Sequence, residues 1–285
     1  MERSYRIFDR TLVRRRRGGV PGNDDTLYLF HEGAAGLAER LRDINRDFHA
    51  LLAVGPLASG KLLKIPPKSV VRADLSGDAP PLPGETPVVL DEEELPFKAK
   101  TFDLVLSNLT LHWVNDLPGA LIQIREVLRE DGLFLASLLG GETLRELRES
   151  LLYAETETSG GASPRISPFA DVRDAGDLLA RAGFAMPVAD IETLTVSYQH
   201  PLVLMKELKA MGENNALFDR LKTFSRKDTL ERAAEYYIKN FSDQEGRISA
   251  TFQFIYLTGW APGPNQPKPL KPGSARASLA DALKP

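Results

Sequence analysis

The chain has 285 residues, a formal net charge of −3 and no cysteine. A chain of this length and of ordinary composition, 42% hydrophobic and 26% charged, can bury one substantial core. The lack of cysteine excludes disulfides, thiolate metal ligands and a cysteine nucleophile, and the net charge gives no reason to expect a nucleic-acid partner.

Basic residues are concentrated at the N-terminus. Residues 1–17 contain seven arginines against Glu2 and Asp9, and seven minus two gives a local charge of +5. A solvated basic helix is the ordinary interpretation, and contact with an acidic ligand or partner is the alternative. The two acidic residues are unusual in a mitochondrial presequence, and the N-terminus lacks the apolar core of a secretory signal.

No apolar run approaches the ~20 residues that a membrane span needs. We therefore expect no integral membrane segment. Peripheral association with a membrane is left open.

The first half of the chain predicts helices that lead into short buried strands. Residues 1–17 and 27–44 have helical character, and the second stretch repeats its apolar residues on one face. Short apolar runs that each end at a turn or an acidic residue predict three strands, at 50–54, 70–73 and 87–90. This order indicates an α/β protein with a mostly parallel sheet.

Residues 102–139 form the central unit of the predicted sheet. Leu104–Leu106 are an apolar run that suits a strand covered on both faces. Asn115 or Asp116 can cap the helix that follows, and Pro118 lies in its first turn, where a missing N–H costs nothing. A second buried strand at 133–139 completes a strand–helix–strand unit, and the carboxyl end of its first strand is where such a sheet binds ligands.

The pattern changes after residue 139. A helix follows Gly140-Gly141, and Ser159–Phe169 (SGGASPRISPF) is too rich in Gly, Ser and Pro for regular structure. Helices are predicted at 171–183, 201–211 and 227–241, and strands at 192–198 and 251–258. We expect one domain over 1–260 with a helical cap over 1–26, a cleft-covering insertion over 140–170 and a Pro-rich tail over 261–285.

Glycine and aspartate residues follow successive predicted strands in an order that suits an adenosyl ligand. Gly55 and Gly60 flank a turn in which backbone can approach a ligand closely. Asp74 is the candidate for the ribose hydroxyls and Asp91 for the adenine amine, while Ser107 lies at the next strand end. A turn or cap residue is the ordinary alternative for each aspartate.

Two groups of motifs carry a resemblance. The segments VVRADLSG, LDEEELPF and FDLVLSNLTLHWVNDLPGAL resemble class I S-adenosylmethionine-dependent methyltransferases. A second group is similar to the family of mitochondrial complex I assembly factor 5 and its bacterial relatives. It consists of the segment from DGLFLASLLGG to LLARAGF, together with FDRTLVRRRR, MGENNA and ATFQFIYLTGW. The malonyl-carrier-protein methyltransferases of biotin synthesis are similar mainly over the central motifs.

The resemblance implies a Rossmann-like class I methyltransferase fold, S-adenosylmethionine as the cofactor and a complex I subunit as the partner. It also implies the cytoplasm for a bacterial chain and the mitochondrial matrix for a eukaryotic one. Members of the family have been credited with hydroxylating an arginine of such a subunit. The first motif departs from the pattern D-x-G-x-G-x-G, because Ala53 stands at the acidic position and Leu57 near the second glycine. We therefore expect weakened cofactor binding.

Three residues are candidates for catalysis. His112 and Asn108 lie just past or at the end of the central strand, and Arg165 lies in the Ser159–Phe169 loop. The alternatives are a neutral hydrogen-bonded histidine and a solvated loop arginine. The spacing of the four histidines suits neither a helical zinc site nor an iron triad, so no metal is expected.

Three functions remain open. The first is a complex I assembly factor that acts on a subunit, with weakened cofactor binding. The second is an S-adenosylmethionine-dependent methyltransferase of a small carboxyl substrate, and the third is a non-catalytic assembly chaperone. The altered first motif favours the third function or a weak-binding form of the first.

Overall fold

The computed structural model describes residues 6–20, 27–77, 82–264 and 266–267. Within these residues seven strands form one sheet: β1 (Ala50–Val54), β2 (Ser69–Asp74), β3 (Thr86–Val89), β4 (Phe102–Asn108), β5 (Leu128–Leu139), β6 (Ala185–Tyr198) and β7 (Ile248–Trp260). Their order is β3-β2-β1-β4-β5-β7-β6. The pairs from β3 to β5 are parallel, and β7 runs antiparallel to β5 and β6.

The described helices cover both faces of this sheet. They are α1 (Arg10–Gly18), α2 (Tyr28–Arg42), α3 (Leu117–Val127), α4 (Arg145–Ser159), α5 (Val172–Arg181), α6 (Pro201–Ala210) and α7 (Lys227–Phe241). One buried cluster joins α2, α4, α6 and α7 to one face, and a second joins α3 and α5 to the other. This arrangement confirms the predicted α/β, mostly parallel, Rossmann-like fold. No helix in the described part of the chain is long and apolar enough to cross a membrane.

The central strand shows why the sequence specifies this sheet. Every residue of β4 is buried, because helices cover both of its faces, and a strand in that position needs a nearly continuous apolar run. Asp116 caps α3 by accepting from the N–H of Gly119 at 2.8 Å. Asn115 does not cap the helix; its Oδ1 accepts from the N–H of Phe8 at 2.7 Å instead.

Several elements differ from their predicted bounds. Strand β6 begins at Ala185, seven residues before the predicted start at 192. It is an edge strand with most of its residues exposed, so its early part lacks the alternation that marks a strand. Helix α4 begins at Arg145 rather than after Gly140-Gly141, since Leu144 before it has left-handed backbone with φ 55°.

The two ends of the chain are described only in part. Helix α1 begins at Arg10, not at Met1, and residues 1–5 lie outside the described residues. Most of the predicted Pro-rich tail, residues 268–285, also lies outside them. The division into cap, insertion and tail stays a prediction.

Two helical glycines provide a matched test of the packing. Gly36 of α2 lies against the ring of Tyr256, and a Cβ there would overlap the phenol. Gly176 of α5 has only an ordinary contact at 3.5 Å to the Cβ of Ala189. We expect Gly36→Ala to lower the free energy of unfolding by about 1–3 kcal/mol through overpacking. Gly176→Ala should raise it by about 0.5–1 kcal/mol through helix propensity.

Urea denaturation of both variants measures the two changes. If Gly36→Ala proved as stable as the parent protein, the packing of α2 against β7 would differ from the structure.

Candidate functional site

The carboxyl ends of the parallel strands bring several predicted site residues to one edge. The N–H of Gly55 donates to the carbonyl of Ala73 at 2.9 Å, and the N–H of Leu90 donates to the carbonyl of Asp74 at 3.0 Å. Gly55, Asp74 and Asp91 therefore follow neighbouring strands at the same edge, as an adenosyl site requires.

Position 55, in the turn after β1, accepts only glycine. It has φ +90°, and an added Cβ would run into the carbonyl oxygen of Asn108 and the methyl group of Thr110. Only glycine combines this backbone conformation with so close an approach to the end of β4. Gly60 lies elsewhere: it opens a 3-10 turn near Val70 at the amino end of β2.

The rest of the turn departs from a glycine loop. Leu57 has φ 59°, a conformation that costs a residue with a Cβ about 1–2 kcal/mol. Position 53, at the end of β1, is an alanine, so no carboxylate is present there. Ala53 is fully buried within the strand. Leu57 thus keeps the backbone of a glycine loop but adds a side chain to it.

The polar residues at the end of β4 are buried in a hydrogen-bond network. The hydroxyl of Ser107 is 2.8 Å from that of Thr110. The amide of Asn108 donates to the carbonyls of Phe30 at 3.0 Å and Pro56 at 2.6 Å, and its Oδ1 accepts from Ser137 at 2.7 Å. Both side chains are fully buried, and Asn108 joins α2, the turn after β1 and β5 to the end of β4. Contact of Ser107 or Asn108 with a substrate or cofactor stays a prediction.

Helix α1 lies over this edge and pairs with its acidic residues. Arg17 donates to Glu92 at 2.6 Å, and Arg10 donates to Asp91 at 2.6 Å and also to Glu92. The side chains of Arg17 and Glu92 are 7% and 2% exposed. Sequence reasoning missed this buried pair, although the arginine run at 14–17 and the acidic run at 91–94 supply its charges.

The pairing sets the protonation of the acidic groups. Burial by itself would raise the pKa of Glu92, but the charges of Arg17 and Arg10 outweigh it and hold that pKa below the usual range. Burial raises the pKa of Asp74, and the nearby Arg17 offsets this only in part. Glu92 is therefore an anion with two cationic partners, while Asp74 takes up a proton more readily than an exposed aspartate.

A second site lies beyond the turn Leu111–Trp113, which follows β4. Glu213, from the segment after α6, accepts from His112 Nε2 at 3.0 Å and from Trp113 Nε1 at 3.1 Å. The side chains of His112 and Glu213 are 1% and 4% exposed. With Nε2 bonded to Glu213, the other ring nitrogen of His112, Nδ1, is buried and has no hydrogen-bond partner among the described residues.

Glu213 and Trp113 belong to the wall of a chamber of about 240 Å³. Its apolar wall comes from α4, α6, α7 and the loop before α5: Leu144, Leu147, Leu151, Ile166, Phe169, Met205, Leu208 and Leu230. Its polar wall is Arg165, Ser167, Glu213, Asn214, Asn215 and Ser225. We call this space the Glu213 chamber.

The predicted loop forms one side of the chamber. The ring of Phe169 lies 6.0 Å from that of His112, so the loop reaches the end of the central strand. Arg165 donates to Glu155 at 2.7 Å and to Ser225 at 2.7 Å. It is tied to α4 rather than solvated, and its contact with a substrate or partner stays a prediction. Among the described residues no group of three or more His, Cys, Asp or Glu is arranged to hold a metal ion.

The fold and the strand-edge residues define a Rossmann-like methyltransferase domain. A family model described as a methyltransferase domain matches residues 58–136. The YcgJ protein from Bacillus subtilis has the same fold, with a TM-score of 0.53 and 14% identity over 82% of this chain and all of that one.

Comparison over the whole chain identifies the family. The mitochondrial arginine-hydroxylase NDUFAF5 of Danio rerio is 42% identical over 98% of this chain and 90% of its own length. The human NDUFAF5 is 40% identical over 98% and 84%. The chain belongs to the NDUFAF5 family, which confirms the resemblance to complex I assembly factor 5. A malonyl-[acyl-carrier protein] O-methyltransferase from Gallionella capsiferriformans is 37% identical over 63% of this chain and 59% of its own length.

The methyltransferase-domain match confirms S-adenosylmethionine as the cofactor that belongs to this domain. At the strand edge Asp74 would hold the ribose and Asp91 the adenine amine, while the side-chain position of Gly55 is filled by Thr110 and the carbonyl of Asn108. The contacts of all three residues with the cofactor stay predictions. The cofactor supplies an activated methyl group when it is bound. The carboxylate of Asp91 is paired with Arg10, and no carboxylate stands at Ala53 to receive an ammonium group.

We expect S-adenosylmethionine to bind weakly at physiological concentrations. Loss of one charge-assisted contact is worth about 1.5–3 kcal/mol, or roughly ten- to a hundredfold in affinity. The side chain of Leu57 adds to this loss. Calorimetric titration measures the affinity, and Ala53→Asp combined with Leu57→Gly should raise it. A submicromolar dissociation constant for the parent protein would contradict the expectation.

The buried pair of Arg17 and Glu92 predicts a second result. Arg17→Met removes one cation from a buried carboxylate and should lower the free energy of unfolding by about 3–5 kcal/mol. Adding Glu92→Leu should recover much of that loss, because the carboxylate that Arg17 pairs with is then removed as well. The exposed pair Lys227–Glu231 on α7 is the control, and its removal should change stability by less than about 1 kcal/mol.

The same pair predicts a dependence on pH. The folded pKa of Glu92 lies below its unfolded value, so its stabilisation is present above the ordinary glutamate pKa and is lost as the pH falls through the folded pKa. Urea midpoints measured across that acidic range should fall less steeply for the Arg17→Met, Glu92→Leu protein. Parallel curves for the two proteins would argue against a lowered pKa.

Proposed function

We propose that the chain acts in the assembly of respiratory complex I and that its target is an arginine residue of a complex I subunit. The observation that carries this proposal is the 42% identity to a protein named arginine-hydroxylase NDUFAF5, which extends over 98% of the chain. The fold alone would not support it, because one fold hosts many functions.

The geometry of the Glu213 chamber is consistent with a protein side chain as the target. A buried carboxylate and a buried amide oxygen lie among leucines at the end of the central strand. Such a site suits the long apolar stem and cationic end of an arginine. The relatives are named as mitochondrial proteins, and we propose the mitochondrial matrix for a eukaryotic chain and the cytoplasm for a bacterial one.

A second candidate is methylation of a small carboxyl substrate with S-adenosylmethionine. The malonyl-[acyl-carrier protein] O-methyltransferase of Gallionella capsiferriformans supports it over 63% of the chain, and so do Gly55, Asp74 and Asp91 at the strand edge. Methyl transfer would need the cofactor and substrate held in line for direct attack.

Deletion of the gene in its own host tests the proposal. We expect assembled complex I to fall in the deletion strain and to return when the full chain is supplied. Native gels measure the complex, and mass spectrometry of its subunits measures arginine that has gained one oxygen atom. If complex I and the modified arginine both return, the result supports an enzyme that acts on arginine. If complex I returns without modified arginine, the result supports a non-catalytic assembly chaperone.

A normal amount of complex I in the deletion strain would overturn the proposed role in assembly. Loss of a methylated carboxyl product in that strain, with complex I unchanged, would establish the second candidate instead.

A further inference from the structure

We infer that the Glu213 chamber binds one guanidinium side chain, with the guanidinium on Glu213 and Asn214 and the methylene stem against the leucines. The inference rests on the proposed function for the identity of the target. It goes beyond that function by naming the residues that recognise the side chain.

The acceptors of the chamber are the first support. Glu213 accepts from His112 at Oε2 and from the indole N–H of Trp113 at both oxygens, which leaves about one lone-pair position, on Oε1, for a further donor. Asn214 lines the same chamber, and its Oδ1 is buried with no hydrogen-bond partner among the described residues. A buried acceptor without a donor is costly, so this wall favours a ligand rich in N–H groups.

The charges around the chamber are the second support. His112 and Trp113 bond to Glu213 through ring nitrogens rather than as an ion pair with a permanent cation. Arg17 lies close enough to be attracted by Glu213 but makes its ion pair with Glu92. Arg165, which also lines the chamber, is paired with Glu155. Glu213 thus has capacity for a further cation.

The size and lining of the chamber are the third support. Its volume of about 240 Å³ lies below the ~300 Å³ at which pockets for whole small molecules begin, so one side chain suits it better than a free cofactor. Leu144, Leu147 and Leu208 supply an apolar surface for a methylene stem.

Guanidinium fits this wall better than ammonium. It is planar and weakly hydrated, and it presents several N–H groups in a fixed fork that can reach acceptors on two neighbouring side chains. A lysine ammonium is strongly hydrated and would lose more on entering a chamber walled by leucines.

The indole of Trp113 provides a direct probe, because it donates to Glu213. The chain has two tryptophans, Trp113 and Trp260, so the ¹⁵N spectrum of the whole protein has two indole signals, and Trp260→Phe assigns them. The ligand used is N-acetyl-arginine N-methylamide, and its neutral citrulline analogue is the comparison. We expect the arginine compound to shift the Trp113 signal saturably and the citrulline compound to leave it in place.

Variants locate the contact. Glu213→Gln should weaken binding of the arginine compound at least tenfold, because the charge is removed while a hydrogen-bonding group of the same shape remains. Asn214→Ala should weaken it severalfold, and it leaves the bonds from His112 and Trp113 to Glu213 in place, so it serves even if Glu213→Gln folds poorly. Glu149→Gln on the exposed face of α4 is the control and should bind as the parent protein does.

Equal binding of the two compounds, or no effect of Asn214→Ala, would overturn the inference. The result is separable from the proposed function. If the arginine compound fails to bind while the deletion strain loses complex I, the assembly role stands and this site is wrong. If the compound binds while complex I is unaffected by the deletion, the site stands and the assembly role is wrong.

Discussion

The buried carboxylate of Glu92 is the constraint that decides how the functional edge of the sheet is arranged. A carboxylate this deeply buried requires cations and hydrogen bonds around it, and Arg17 and Arg10 provide them. Both arginines come from α1, so the helix is held over the ends of the strands. The same helix therefore lies over the edge where the cofactor is predicted to bind, and its Arg10 pairs with Asp91, one of the two carboxylates predicted to bind the cofactor.

Helix α1 also connects the strand edge to the Glu213 chamber. The ring of Phe8, just before the helix, packs edge-on against Trp113 with centroids 5.3 Å apart. The N–H of Asp9 donates to the carbonyl of Ala216 at 2.8 Å, and Arg16 donates to the carbonyl of Asn214. The segment that carries Glu213 is thus fixed to the helix that covers the cofactor edge. A displacement of α1 would disturb both sites together, because they share this one support.

The sequence predicted the sheet well because its parallel strands are apolar runs with clear ends. Strand β1 has its predicted bounds, and β2 and β3 lie within a residue of theirs. Gly55, Asp74 and Asp91 could be placed at one edge because parallel strands of a Rossmann-like sheet end together. The edge strand β6 was predicted too short, since its early exposed residues lack the alternation that a half-buried strand shows.

The sites were harder to predict because they depend on contacts between distant segments. Glu92 and Arg17 are 75 positions apart, and His112 and Glu213 are 101 apart. No local spacing links the residues of either pair. The sequence therefore showed the acidic run at 91–94 and the basic run at 14–17 but not that they pair with each other. Asn108 is a further example: its position at a strand end suggested chemistry, which stays a prediction, and local spacing gave no sign of the three hydrogen bonds by which its amide joins neighbouring elements.

The fold does not depend on the cofactor contacts of the turn after β1, and the burial of the core shows why. Leu51, Leu104 and Leu135 are fully buried in β1, β4 and β5, and Leu57 and Ala58 of the turn pack into the same apolar cluster. Ala53 adds to that apolar packing, so loss of a carboxylate there costs the sheet nothing. Leu57 has the left-handed backbone of a glycine and so preserves the path of the turn. A chain can therefore keep the whole sheet, with Gly55 and Asp74 in place, while the contacts of its cofactor turn change.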